Sequence, residues 1–444
     1  MFSSFEDRAK ERGRRIALTT IATAVAKAIS MATGLITVPL TLNYLGVERY
    51  GMWMTISSVV ALLAFTDMGI GNGLLNSIAE ANGKDDRQLA RGYVSSAFFI
   101  LLGIALFLGV LFALAYPWVS WSRVFNVSTG PAVREAGPAI AAFMACFLVN
   151  IPMGIVQRIQ LGYQEGYVNA LWQGLGSLLG LGAVILSVNL KLGLPWLIFS
   201  LAGIPVVALI ANGTALFLVE RRWLIPSWSC VNRHAIRHIL DMGIFFFVLQ
   251  ILGVFNYSSD NIILSQILGA DAVAGYSVAA RLFSIFPILL GMFLMPLWSA
   301  YGEAHARGDR FWIKQIFKKT LGWSLVINTL GSILLVLWGQ QIIDWWVGPH
   351  VSLPFLLFLG MGLANLLNAF AGSMAMLFNG LNILRFQVGC MLFASGGLLA
   401  AKIILTRKMG LPGMVWGTLL AQILCCLIPS LVYLRWKVWP RLSV

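Results

Sequence analysis

LGVERYGMWMTISSVVALLAFTDMGIGNGLLNSIAEANGKDDR, residues 45–87, is the stretch that decides the fold. It joins a short glycine-containing connection to an apolar segment and then to a charged loop. It recurs about 223 residues later as LGADAVAGYSVAARLFSIFPILLGMFLMPLWSAYGEAHARGDR, residues 268–310, where the glycine, the Glu-Ala pair and the Asp-Arg pair keep the same offset. Because this period is half the chain, the sequence predicts two tandem halves.

A second set of residues recurs near the fourth and tenth apolar segments. At an offset of about 218, three residues match three others: Asn150, Gly154 and Gly162 with Asn368, Gly372 and Gly380. Membrane proteins built from tandem repeats are typically transporters with the substrate site between the repeats. We therefore expect a transporter.

Composition places the chain in a membrane. Hydrophobic residues make up 59% of its 444 residues and charged residues only 11%, whereas soluble proteins carry about 25% charged residues. The formal net charge of +14 is of the kind that attracts nucleic acid. Here the basic residues alternate between loops and form no single patch, so we expect no nucleic-acid partner.

Apolar runs of about 20 residues separate short charged clusters, and such runs cross a bilayer as helices. The predicted fold class is an all-α integral membrane protein with twelve transmembrane helices in two pseudo-symmetric six-helix bundles. The predicted domains are 1–222 and 223–444. The predicted spans are 16–43, 51–76, 93–116, 137–157, 168–190, 195–219, 240–267, 273–299, 319–338, 353–378, 386–405 and 413–434.

The distribution of Lys and Arg predicts the orientation. Most of the 31 basic residues fall on the side of the N-terminus. The opposite side holds Arg49, Arg123, Arg134, Lys191, Lys402, Arg407 and Lys408. Since cytoplasmic loops are enriched in Lys and Arg, we expect a bacterial inner-membrane protein with both termini in the cytoplasm.

Four charged residues deep within predicted spans, Lys27, Asp67, Asp260 and Arg281, are candidates for function, because a charge there costs about 2.5–3.5 kcal/mol. Lys27 and Asp67 lie at similar distances on either side of Gly46. Asp260 and Arg281 flank Gly269 in the same way. Each half therefore predicts one acid–base pair across its first hairpin.

Two interpretations of these pairs stay open. In one, each pair simply neutralises itself. In the other, Lys27 and Arg281 face a central cavity and attract an anionic substrate, while Asp67 and Asp260 act as coupling residues for protons or sodium ions.

Polar residues next to these charges extend the predicted site. The cluster around Asn256 is predicted to interrupt the seventh helix, and the glycines after Asp67 to loosen the second. Unwound or glycine-rich membrane segments are tolerated where they line a cavity. The predicted substrate-binding set is therefore Lys27, Arg281, Asn256, Asn150 and Arg158.

Catalytic motifs are not found in the sequence. Gly83-Lys84 is followed by Asp85, so there is no phosphate-binding P-loop. The five cysteines have no paired or metal-ligand spacing. His234, His238 and Asp241 share a helical face, but a solvated basic linker helix is favoured over a metal site. We expect no enzyme, no cofactor and no metal.

Three segments resemble a known family. LITVPLTLNYLGVERYGMW (35–53) with FTDMGIGNGLLNSIAEANGKDD (65–86) resembles the opening helix pair of polysaccharide-biosynthesis flippases, which belong to the multidrug/oligosaccharidyl-lipid/polysaccharide (MOP) exporter superfamily. NYSSDNIILSQILGADAVAGYSVAARL (256–282) resembles the start of their second half, and IVQRIQLGYQEGY (155–167) the segment after their fourth helix. Asp67 and Asp260 match positions where the family often has an acid.

The resemblance implies two six-helix bundles arranged in a V around a cationic cavity. It also implies transfer of an undecaprenyl-diphosphate-linked oligosaccharide, for O-antigen, exopolysaccharide or a related glycan, to the outer leaflet. Expected partners are this substrate, membrane lipids and polysaccharide polymerase or assembly proteins. The alternatives are a multidrug cation antiporter of the same superfamily and, less favoured, a membrane glycosyltransferase or polymerase.

Overall fold

The computed structural model describes residues 5–63, 65–346 and 352–440. Within these ranges all regular secondary structure is helical, mostly α-helix with short 3₁₀ and π-helical turns. Eleven helices of the described chain are long and apolar enough to cross a membrane. The predicted all-α integral membrane class is therefore confirmed.

The described part of the first half contains nine α-helices. Their bounds are α1 (Phe5–Leu63, kinked at Gly46), α2 (Ile70–Gly83), α3 (Arg87–Ala115), α4 (Trp121–Val124), α5 (Gly130–Met153), α6 (Ile155–Gly162), α7 (Gly166–Asn189), α8 (Leu194–Ile198) and α9 (Ile204–Thr214). The π-helical turns Phe199–Gly203 and Ala215–Glu220 flank α9.

The second half begins with a long helix. Its bounds, with those of the helices that follow, are α10 (Arg233–Leu268), α11 (Ala270–Phe283), α12 (Ile285–Ala306), α13 (Arg310–Trp346), α14 (Phe355–Gly380), α15 (Leu384–Met409), α16 (Leu411–Gln422) and α17 (Ile428–Tyr433). The seventh predicted span is thus continuous helix, and the expectation that polar residues around Asn256 interrupt it is wrong.

The second predicted span, 51–76, is broken, which explains why eleven helices qualify where twelve were expected. Met68 and Gly69 have φ of 45° and 73°, values that an α-helix cannot contain. The Asp67 carboxylate accepts a hydrogen bond from the Gly69 N–H at 3.0 Å and so closes the turn. The following α2 has 14 residues, about 21 Å at 1.5 Å per residue, less than a bilayer core.

The internal repeat is visible as matching local structure. Gly46 and Gly269 have nearly the same backbone conformation, with φ/ψ of 74°/171° and 90°/175°. This region is open essentially only to glycine, so both connections require one. Asp86 accepts from the Leu89 N–H at 2.9 Å at the start of α3, and Asp309 accepts from the Trp312 N–H at the start of α13.

The ion pairs at the C-terminal ends of α2 and α12 also correspond. Glu80 binds Lys84 one turn later at 2.6 Å, and Glu303 binds Arg307 in the same i,i+4 arrangement. Residues related by the sequence offset therefore share contacts as well as residue type.

The described chain divides into two compact units, Lys10–Ile244 and the remainder. The division falls within α10; the domain boundary after residue 222 stays a prediction. The N-terminal unit holds two buried apolar clusters, one around Ile78 and Val156 and one around Ile56 and Ala136. The C-terminal unit is built around residues such as Ile343 and Phe358.

Candidate functional site

A cavity of about 360 Å³ opens inside the N-terminal unit between α1, α5, α7 and residues 201–212. Asn150, one of the predicted site residues, lines it near the end of α5. The π-helical turn Phe199–Gly203 and Pro205 form one wall, and Gly176 on α7 faces them. A Cβ at Gly176 would lie 3.1 Å from the Ala208 side chain, so glycine lets α7 approach α9 closely.

Amide and hydroxyl groups dominate the polar part of this cavity. They are Ser30, Asn150, Gln157, Asn169, Gln173, Ser177 and Asn212. Ser30 and Ser177 are hydrogen-bonded to each other at 2.8 Å. Asn212, which is 1% exposed, exchanges two hydrogen bonds with Gln160, at 2.6 and 3.0 Å. This pair is satisfied and holds the floor of the cavity in place.

The side chains that line the cavity carry no formal charge. Asn and Gln each offer a carbonyl acceptor and an NH₂ donor, and Trp172 adds an aromatic surface. A site of this kind hydrogen-bonds neutral hydroxyl groups, and it offers neither a carboxylate for a cation nor an ammonium for a phosphate.

Sequence reasoning found Asn150 but missed Gln157, Asn169, Gln173 and Asn212. It weighed ions within spans and passed over amides. The signal was nevertheless present, because Asn169, Gln173 and Ser177 recur every four residues in an apolar run and so share one face of α7.

The side chains of Asp67 and Arg158 both lie next to Gly71. A Cβ at Gly71 would lie 2.8 Å from Asp67 Oδ2 and 2.9 Å from Arg158 Nε. Both side chains are half-buried. The predicted pairing of Asp67 with Lys27 is therefore wrong: the turn at 65–69 directs Asp67 toward α6. Lys27 is exposed on α1 and makes no hydrogen bond or ion pair with any described residue.

In the C-terminal unit Asp260 is paired with Lys402 and not with the predicted Arg281. From the sequence, Lys402 was counted with the basic residues on the side opposite the N-terminus, near the end of the predicted span 386–405. The structure instead continues α15 to Met409 and buries Lys402, which is 1% exposed. Its Nζ donates to the backbone oxygen of Asn256 at 2.9 Å, to Ser259 Oγ at 3.3 Å and to Asp260 Oδ1.

The other Asp260 oxygen accepts a hydrogen bond from the Tyr276 hydroxyl at 2.8 Å. Arg281 is exposed in the last turn of α11, and its backbone oxygen accepts from Ser284 at 2.7 Å. Depth along the helices could not reveal that the partner of Asp260 lies 142 residues away on α15.

The histidines at the start of α10 form a stack on α3. His238 lies over Tyr93, with ring centroids 5.2 Å apart, and His234 over His238 at 6.3 Å. His238 Nε2 is 3.4 Å from Glu80 Oε2, an ion-pair distance longer than a usual hydrogen bond. Among the described residues no group of three His, Cys, Asp or Glu is arranged to hold a metal, and all five cysteines are free thiols.

The sequence matches a family model described as polysaccharide biosynthesis protein over residues 17–301. It is 22% identical over 320 residues to a Salmonella typhi protein named "Putative O-antigen transporter", covering 70% of this chain and 69% of that one. It is 24% identical over 319 residues to a Yersinia pseudotuberculosis protein named "Putative O-antigen export protein", covering 69% and 70%.

Solved structures share the fold. A MATE transporter of Vibrio cholerae superposes with a TM-score of 0.78 at 12% identity, covering 96% of this chain and 98% of that one. A MOP superfamily transporter from Pyrococcus furiosus, reported with a binding pocket of reverse polarity, gives 0.76 at 15% identity, covering 95% of each.

The family model spans more than half of the chain. The chain belongs to the polysaccharide biosynthesis protein family.

Proposed function

We propose that this protein is a flippase that moves an undecaprenyl-diphosphate-linked oligosaccharide across the bacterial inner membrane by alternating access. The observation that carries the proposal is the uncharged, amide-lined cavity within the N-terminal unit. Amides in a low-dielectric site bind hydroxyls selectively, because a ligand that lacks the hydroxyl leaves them unpaired. Sugars present many hydroxyls, and a ring such as Trp172 offers a flat apolar face.

In this mechanism the sugar head group enters the cavity while the lipid tail stays in the bilayer. Lys27 and Arg281, each exposed in its own unit, stay candidates for contact with the anionic diphosphate. Half-buried Asp67 beside Arg158 is the proposed coupling group for protons or sodium ions. The relatives named for O-antigen transport and export favour a transporter over an enzyme. Polymerase or assembly proteins are the proposed partners.

The decisive experiment is to delete the gene and locate the lipid-linked oligosaccharide. We expect the intermediate to accumulate on the cytoplasmic leaflet and surface glycan to disappear. An intermediate that is absent, or that reaches the outer leaflet at the normal rate, would contradict the proposal.

Complementation with variants then tests the cavity. Asn150→Ala and Gln173→Ala each remove one hydrogen-bonding amide, worth about 0.5–1.5 kcal/mol, so we expect glycan display to fall between about twofold and tenfold. Gln88→Ala is the matched control, because Gln88 is exposed at the start of α3, away from the cavity. Equal display by all three variants would remove the cavity from the mechanism.

The second candidate is a multidrug cation antiporter with the same fold, as in the solved MATE structures. A lipophilic cation needs a carboxylate in its site, and the cavity of the N-terminal unit has none among its lining residues. In the deletion strain, loss of drug resistance with normal glycan would favour the antiporter. Sugar transfer by the purified protein alone would establish a glycosyltransferase or polymerase.

A further inference from the structure

The ammonium group of Lys402 is surrounded by oxygen atoms inside the C-terminal unit. An ammonium has three hydrogens to donate, and three acceptors receive them: the Asn256 backbone oxygen, Ser259 Oγ and Asp260 Oδ1. All three lie within one turn of α10. A backbone carbonyl, a hydroxyl and a carboxylate are the groups with which transporters hold sodium ions.

Asn256 also carries a side-chain oxygen that no described residue uses. Asn256 Oδ1 is buried and has no hydrogen-bond partner among the described residues. An unpaired buried acceptor costs about 1–3 kcal/mol. Because the ammonium already donates its three hydrogens to other acceptors, it leaves none for this oxygen.

Apolar side chains adjoin the oxygen cluster, which leaves the Asp260 side chain 16% exposed and the Lys402 side chain 2% exposed. Leu264 and Met414, both 0% exposed, belong to an apolar cluster that also includes Tyr276 and Leu399. Behind Lys402, Gly417 brings α16 onto the backbone of α15, since a Cβ there would lie 2.7 Å from the Lys402 Cα. An uncompensated charge on Asp260 in this setting would cost several kcal/mol.

We propose that these oxygens form a monovalent-cation site whose resident cation is the Lys402 ammonium, and that the site binds Na⁺ or K⁺ once that ammonium is removed. A proton on Asp260 would restore neutrality but satisfy only one oxygen. A metal cation is coordinated by all three acceptor oxygens. In the native chain Lys402 therefore makes this unit independent of external cations, whatever substrate the protein moves.

The test uses the purified full-length protein at pH 8 and constant ionic strength. Lys402→Ala and Lys402→Ser empty the position, and Ser adds one more oxygen. Lys402→Met is the matched control, because its side chain refills the space without charge. Melting temperatures are measured in NaCl, KCl and N-methylglucamine chloride.

We expect the Ala and Ser variants to melt about 3 °C or more higher in NaCl or KCl than in N-methylglucamine chloride. The native and Met proteins should respond to none of the salts, and Asp260→Asn added to Lys402→Ala should abolish the response. Aggregation of the Ala and Ser variants in N-methylglucamine only would also support the site. Identical melting in all three salts, aggregation in all three, or an equal response by the Met variant would overturn it.

Discussion

Glu80 is the most strongly perturbed acid outside the predicted spans. Nearby His238 and, next, Lys84 hold the pKa of Glu80 down to about 2 from 4.5, against the opposing effect of burial. A lowered folded-state pKa stabilises the fold above about pH 4.5, and that stabilisation is lost as pH falls toward 2. We expect the melting temperature of the purified protein to fall across this window, and Glu80→Gln to flatten the fall.

The control for Glu80 is Glu48, whose carboxylate caps the start of α5. It accepts from the backbone N–H and hydroxyl groups of Ser128 and Thr129, which lower its pKa, but it is exposed. Solvent screens such groups, so Glu48→Gln should change the fall of the melting temperature at acid pH less than Glu80→Gln does. A steeper acid limb in Glu80→Gln than in the native protein would contradict the assignment.

At the same scale, the predictability of the site depends on what kind of signal a residue gives. Asn150 was identified because it recurs in the repeat and lies in an apolar run. Lys402 was placed wrongly because it lies near the end of an apolar run, where position along the sequence does not separate a buried lysine from a loop lysine. Only the packing of α15 on α10 decides between them.

At the scale of secondary-structure elements, the close approach of α2 and α10 depends on a glycine. α2 crosses the beginning of α10 at Gly73, where a Cβ would lie 2.8 Å from the Ile239 backbone oxygen. A backbone atom cannot move aside as a side-chain tip can. We therefore expect Gly73→Ala to lower the free energy of unfolding by about 1–3 kcal/mol, measured by denaturant or thermal unfolding of the purified protein.

Gly182 on α7 is the matched control for this prediction, since a Cβ there meets nothing within 4 Å. Helical Gly→Ala changes otherwise stabilise by about 0.5–1 kcal/mol, so Gly182→Ala should be neutral or stabilising. Should both variants behave alike, the α2–α10 crossing would not be the tight contact described.

Most helices were predictable because apolar length in a membrane leaves the backbone few alternatives. The break at 65–69 was only half predicted: its glycines were noted, yet the span was drawn through them. A turn inside a membrane depends on a local hydrogen bond from Gly69 to Asp67, which composition does not register. Conversely, the polar run near Asn256 remains helical, and Lys402 on α15 donates hydrogen bonds to three of its oxygens.

At the scale of the whole molecule, the distribution of basic residues predicts both termini in the cytoplasm. Green fluorescent protein fused after residue 444 should therefore fluoresce, and alkaline phosphatase fused there should be inactive. As a control, alkaline phosphatase inserted after Asn126, in the loop before α5, should be active. Reversed activities at the two positions would overturn the orientation.

The two-fold repeat was the most informative feature of the sequence, because it is realised in three dimensions by matching connections at Gly46 and Gly269 and matching caps at Asp86 and Asp309. The repeat did not predict which residues pair over long distances in the sequence. Depth along antiparallel helices orders residues along the membrane normal, but it does not determine the direction in which each side chain points around its helix axis. That direction decides that Asp67 lies near Arg158 and that Asp260 pairs with Lys402.

The neutral amide lining of the cavity has a consequence for turnover. A hydroxyl that exchanges water for an amide gains only about 0.5–1.5 kcal/mol per bond, so a few such bonds hold a head group weakly enough for ready release. A carrier limited by product release works faster with modest grip than with a deep energy well. The amides of Asn150, Asn169 and Gln173 therefore suit a cavity that binds its substrate weakly and releases it readily.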